Sequence, residues 1–105
     1  GTGLNQQRGE WLIAHVWSTL GEAEPALRHA GHCLALTSKY ADLMKDFDAA
    51  YAHEGMARAL ALAGKRDEAM MYLLMAEESG KVIQNEEDRR IFMDDFNGGN
   101  WHGIK

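Results

Sequence analysis

The sequence is poor in the residues that crosslink, kink or extend a chain. Its 105 residues include one cysteine, which cannot form a disulfide within the chain, and one proline. The β-branched residues typical of strands are few beside alanine, leucine, methionine and glutamate. No stretch reaches the roughly 18 apolar residues that a membrane-spanning helix needs. These shortages predict a single all-α domain over residues 1–105.

Basic residues are also in the minority. The chain has 11 Lys and Arg against 16 Asp and Glu, which gives a formal net charge of −5. A protein that binds nucleic acid needs a basic face to displace counterions, so we expect no nucleic-acid partner. The lone cysteine and the lack of a signal-peptide pattern favour the cytoplasm, and we expect no membrane partner.

Helical spacing of apolar residues, interrupted by glycine and proline, predicts five helices. The first runs from about Asn5 to Leu20 and ends at Gly21, because glycine readily adopts the left-handed conformation that closes a helix. The second begins near Pro25 and extends to about Met44. The remaining elements are a third helix over about 49–63, a fourth over 67–83, a fifth over 86–96 and an irregular tail over 97–105.

Two segments of the chain resemble one another. Residues 20–27 align with residues 63–70, and each has a helix end, a glycine, a short polar turn and an alanine followed by a large residue. The two glycines, Gly21 and Gly64, stand 43 residues apart. Small residues recur at matching places, which are Ala14, Ala26 and Cys33 in the first copy and Ala57, Ala69 and Ala76 in the second. This repetition predicts two stacked helical hairpins.

The pattern resembles the tetratricopeptide repeat, in which paired helices cross at small residues and stack into an α-α superhelix. The resemblance covers about residues 7–82. The usual period is about 34 residues, so these copies are extended, and Ser38 and Lys81 stand where that family has a proline. The parts are a first repeat over about 5–38, an extension over 39–46 and a second repeat over about 47–82. The chain is also similar to short bacterial helical-repeat proteins.

Two repeats are fewer than a stable stack usually needs, so the ends must be covered. The fourth predicted helix is apolar almost all round, and its methionines are either core filler or an adaptable surface for a partner helix. We expect the fifth helix to cap it, with a homodimer supplying any missing cover. The glycine-rich tail either docks on the body or on a neighbouring subunit, or is a disordered end. The predicted cap or self-association surface comprises Met71, Leu74, Met75, Phe92, Phe96 and Trp101.

In the family that the chain resembles, the first helix of each repeat lines a concave groove for a peptide. The corresponding residues here are Arg8, Trp11, His15, Tyr51, Glu54, Arg58 and Leu62. Tryptophan, tyrosine and arginine are also common at binding hot spots. Equally, Trp11 has a structural explanation as a residue packed on the third helix, and Glu54 and Arg58 have one as an ordinary i,i+4 pair.

The expected function is therefore a non-catalytic scaffold that binds a peptide or helix of another protein, or another copy of itself. One alternative is a small-molecule sensor with a pocket between the first and third helices, lined by Trp11, His15 and Glu54. Another is an oligomerisation module of a longer regulator. No phosphate-binding loop, dinucleotide fingerprint or nucleophile motif occurs, so we expect no enzyme activity and no cofactor.

Three neighbouring residues have the spacing of metal ligands. His29 and His32 lie about 60° apart on a helical wheel, but Cys33 points 100° from His32, toward the core. We find no carboxylate at a matching position in the sequence. The expectation is two solvated histidines and a small core cysteine, with no metal.

Overall fold

The computed structural model describes residues 2–105, and within that range it contains five α-helices and no strand. The all-α prediction is confirmed. None of the helices described is long and apolar enough to cross a membrane. The helices are α1 (Thr2–Thr19), α2 (Ala23–Lys39), α3 (Asp46–Leu62), α4 (Arg66–Lys81) and α5 (Glu86–Asn97), and a 3₁₀ turn occupies Ala41–Leu43.

The first four helices form two hairpins that lie against each other. α1 packs along α2 and α3 along α4, while α2 and α1 both contact α3. The turn after α1 has Gly21 at φ 78°, and the turn after α3 has Gly64 at φ 79°. In both turns the next N–H donates to a carbonyl five residues back, from Glu22 to Trp17 and from Lys65 to Leu60. The two turns are thus the same glycine-dependent helix ending.

Small residues fill the places where the paired helices cross. All six positions that the repetition singles out are buried, namely Ala14, Ala26, Cys33, Ala57, Ala69 and Ala76. A side chain no longer than a methyl or thiol group lets two helix backbones approach closely. The larger apolar side chains gather instead toward the C-terminal half, where Leu60, Leu73, Ile83, Phe92 and Phe96 form the main core.

The second helix is shorter than predicted, because α2 ends at Lys39 rather than near Met44. Tyr40 leaves the helical conformation, with φ −114° and ψ 36°, and its ring lies against Gly3 at the start of α1. A Cβ atom on Gly3 would come within 2.6 Å of that ring. The apolar spacing beyond Lys39 therefore reflects a 3₁₀ turn and a short extended link rather than a longer helix.

The last helix caps the stack on a different side from the one expected. Phe92 and Phe96 of α5 are buried, and the Phe92 ring lies over Gly80 of α4 and edge-on to Tyr51 of α3. α5 thereby covers the side of the second hairpin on which Gly80 and Tyr51 lie. The second apolar face of α4, which includes Met71 and Leu74, remains exposed.

The contact between α4 and α5 depends on the missing side chain of Gly80. A Cβ atom there would overlap the Phe92 ring, whereas a Cβ on Gly9, inside α1, would meet nothing within 4 Å. Alanine favours a helix over glycine by up to about 1 kcal/mol, and overpacking costs about 1–3 kcal/mol. We expect Gly80→Ala to lower the free energy of unfolding in urea by about 1–2 kcal/mol, and Gly9→Ala to raise it slightly. Equal effects of the two substitutions would contradict this packing.

Candidate functional site

A cluster of aromatic and charged side chains joins α1 to α3. Trp11 is half-buried, and its indole N–H donates to Glu54 Oε1 at 3.0 Å. Its ring stacks on His15, with centroids 5.2 Å apart, and meets Tyr51 edge-on at 5.1 Å. Gly55 makes room for this arrangement, since a Cβ there would lie 3.1 Å from the indole. Four of the predicted groove residues are thus brought together.

Arg58 is buried at the bottom of the predicted groove rather than exposed along it. It is 7% exposed and pairs through Nε with Glu54, which is 2% exposed. Its Nη2 donates to the backbone carbonyls of Asp95 and Gly98 at 2.9 and 3.0 Å, and its Nη1 donates to that of Asn100 at 3.3 Å. The guanidinium therefore donates to carbonyls at and just beyond the C-terminal end of α5, where a cation also meets the negative end of the helix dipole.

The C-terminal segment, residues 98–105, lies against the side of α3 that carries Arg58, which is named the inner face of the domain. Trp101 is buried, its indole N–H donates to the Phe96 carbonyl at 2.8 Å, and its ring centroid lies 4.0 Å from the Arg58 guanidinium carbon. Ile104 is buried beside it in the main core. Of the alternatives for the tail, the structure shows docking on the body. Arg58 and Trp101, expected on partner-facing surfaces, are interior because the segment docks against Arg58, and Glu54 is buried as the partner of Trp11 and Arg58.

Arg8 and Leu62, the other predicted groove residues, lie apart from the cluster, and Tyr51 at its edge makes a further contact. Arg8 forms two hydrogen bonds to the buried carboxylate of Asp48, at 2.9 and 3.1 Å, which raise the pKa of Arg8 and tie α1 to the start of α3. Tyr51 donates a hydrogen bond from its hydroxyl to Asp95 at 2.5 Å. The pKa of Tyr51 is raised mainly by burial and, to a smaller extent, by this hydrogen bond. Leu62 is half-buried in the last turn of α3.

An open cleft of about 650 Å³ remains between α1 and the end of α5. Its floor is the Glu54–Arg58 pair, and one wall is the stacked pair of Trp11 and His15. The C-terminal segment supplies the opposite wall, including Asn100. The cleft is what the docked segment leaves of the predicted groove.

A second cluster lies on the other side of α1. Glu10 Oε2 is 2.5 Å from His29 Nδ1 and 3.8 Å from His32 Nδ1, so α1 supplies the carboxylate that sequence spacing did not reveal. Cys33 faces the core, as expected, and burial raises its pKa to about 12. The thiol therefore stays protonated at neutral pH and is neither a ready nucleophile nor a ready metal ligand.

His53 and Ser79 form a further polar contact, between α3 and α4. The His53 Nδ1 lies 3.2 Å from the Ser79 hydroxyl oxygen, and burial lowers the pKa of this half-buried histidine.

No family model, curated protein or solved structure matches the chain in the comparisons. The functional interpretation therefore depends on the geometry of these clusters and of the exposed faces.

The buried ion pair can be tested against an exposed pair with the same spacing. Arg58→Gln leaves Glu54 as an unpaired buried charge, which costs about 3–5 kcal/mol, and it also removes three contacts to α5 and the C-terminal segment. Arg90 pairs with Asp94 on the surface, so Arg90→Gln should change stability by less than about 0.5 kcal/mol. Urea denaturation measures both. A loss for Arg58→Gln as small as that for Arg90→Gln would contradict its buried position.

Proposed function

We propose that this protein is a non-catalytic helical-repeat scaffold, of a tetratricopeptide-like kind, that works by binding another polypeptide. The two equivalent glycine turns and the matching small residues at the helix crossings support the repeat assignment. The acidic net charge supports a protein rather than a nucleic-acid partner. The lone buried cysteine, Cys33, supports a cytoplasmic setting.

The observation that carries the proposal is the outer face of α4, defined by Met71, Leu74 and Met75. These side chains are 60%, 54% and 41% exposed, and their spacing puts them on one side of the helix. Helical repeats bury such faces by stacking another unit on them. Methionine adapts its shape to a partner more readily than branched residues do. The outer face of α4 is therefore the docking surface.

The occupant we propose is a second copy of the chain. Two copies can cover their outer faces of α4 by packing them on each other across a two-fold axis, the commonest symmetry of soluble dimers. The inner groove offers no equivalent surface, because the C-terminal segment already fills part of it. Phe92, Phe96 and Trp101 lie in the core and take no part in this surface.

Two leucines provide a matched pair of substitutions. Leu74 on the outer face of α4 and Leu12 on α1 are 54% and 55% exposed, so a glutamate at either place should change the free energy of unfolding little. We expect light scattering after size exclusion to show a concentration-dependent dimer of the wild-type chain. Leu74→Glu should be monomeric, and Leu12→Glu should behave as the wild type.

Two outcomes would contradict this proposal. One is a wild-type chain that stays monomeric across the concentration series. The other is a dimer that Leu74→Glu leaves intact or that Leu12→Glu alone dissociates, since either result places the interface elsewhere.

A second candidate function is small-molecule sensing in the cleft beside Trp11 and His15. Its volume of about 650 Å³ falls within the usual range for ligand pockets, about 300–1,000 Å³. A ligand there should shift the indole N–H resonance of Trp11 while leaving that of the buried Trp101 in place. Titration with a panel of small aromatic and amine compounds checks this, and no shift of the Trp11 signal by any of them would count against sensing.

A further inference from the structure

Three side chains from two helices converge at one point of the first hairpin. His29 and His32 stand one turn apart on α2, and Glu10 reaches them from α1. Both histidine Nδ1 atoms lie close to the same carboxylate oxygen, at 2.5 and 3.8 Å. One ligand atom from each residue can be chosen so that all lie within 4.8 Å of one another. We propose that Glu10, His29 and His32 bind a divalent transition-metal ion of the zinc class.

The distances are close to those that a zinc ion imposes. Zinc binds histidine nitrogen and carboxylate oxygen at about 2.0–2.2 Å, so tetrahedral ligands lie about 3.3–3.6 Å apart. The Glu10–His29 pair must therefore open by about 1 Å, and the Glu10–His32 pair, now 3.8 Å apart, must close by about 0.2–0.5 Å. His32, at 58% exposed, has room to make that movement by rotating its side chain.

A simple hydrogen bond accounts for only part of this arrangement. The contact between Glu10 and His29 alone is an ordinary histidine–carboxylate pair. That pair does not require a second imidazole, yet His32 brings its Nδ1 to the same oxygen, with its ring nearly perpendicular to that of His29 at 83°. A metal site requires two nitrogens and a carboxylate to converge in this way, whereas a single hydrogen bond does not require it.

The donor set selects the class of metal. Two imidazoles and one carboxylate are the protein ligands of many zinc sites, which keep a fourth position for water. Magnesium and calcium prefer oxygen ligands alone, so the two histidines disfavour both. Cys33, the next residue along α2, is not a ligand because it is buried in the core. The exposed side of His32 leaves the fourth position to water.

A metal ion here would fasten the two helices of the first hairpin. Glu10 lies eleven residues before Gly21, and His29 and His32 lie eight and eleven residues after it, so the site is remote from the turn that already joins the helices. The ligands come together only when α1 and α2 are paired, and binding therefore stabilises the folded chain. This role is independent of the docking surface on α4.

The test uses the full chain freed of metal by a chelator. Calorimetric titration with Zn²⁺ should show one ion bound per chain, and the midpoint of thermal unfolding should rise with Zn²⁺ concentration. Mg²⁺ at the same concentrations should do neither. His32→Gln and Glu10→Gln should each weaken Zn²⁺ binding by more than about 10-fold, since even the partners of metal ligands contribute that much.

The control is a histidine outside the cluster. His102→Asn removes an exposed imidazole from the C-terminal segment, and asparagine tolerates the positive φ of 52° found there. This variant should bind Zn²⁺ as the wild type does. The proposal is overturned if Zn²⁺ does not bind saturably, if Mg²⁺ binds equally well, or if the Glu10 and His32 variants keep the wild-type affinity.

Discussion

Arg58 places a guanidinium inside a small alanine-rich domain, where the end of α5 and the C-terminal segment gather around it. A buried cation is stable only when its charge is paired and its donors have acceptors. Glu54 supplies the charge, and the carbonyls of Asp95, Gly98 and Asn100 supply the remaining acceptors. The Trp101 ring packs against the flat face of the Arg58 guanidinium. These partners bring the end of α5 and the C-terminal segment onto the inner face.

That placement divides the molecule into a closed side and an open side. The inner face, where a peptide groove was expected, is occupied by the chain itself apart from one cleft. The outer face of α4 keeps its methionines and Leu74 in solvent. The first hairpin carries a different kind of feature, a polar cluster between α1 and α2 built on Glu10. The proposed self-association and the proposed metal site thus lie in different hairpins.

The features that the sequence predicted well are those set by nearby residues. Gly21 and Gly64 end helices because of their own backbone freedom, and alanines such as Ala26 and Ala69 mark close crossings because of their own size. The end of α2 could not be read in this way, since Tyr40 leaves the helix beside Gly3, which is distant along the chain. Helical periodicity also placed Glu54 and Arg58 on one face but could not show that Trp101 would cover it.

The candidate metal cluster could have been predicted from the sequence by also pairing residues of α1 with residues of α2. In an antiparallel hairpin hinged at Gly21, residues equally far from the hinge lie opposite each other, and Glu10 and His32 are such a pair. The periodicity of α2 alone could not reveal a ligand from α1.

Nuclear Overhauser spectroscopy on the full chain can decide whether the C-terminal segment occupies the inner face. The packing described here requires cross-peaks between the Trp101 ring protons and the side-chain methylenes of Arg58, and upfield shifts of those methylenes from the indole ring. A Trp101 indole signal at its random-coil position, with no cross-peak to Arg58, would show instead that the segment is free and the groove open.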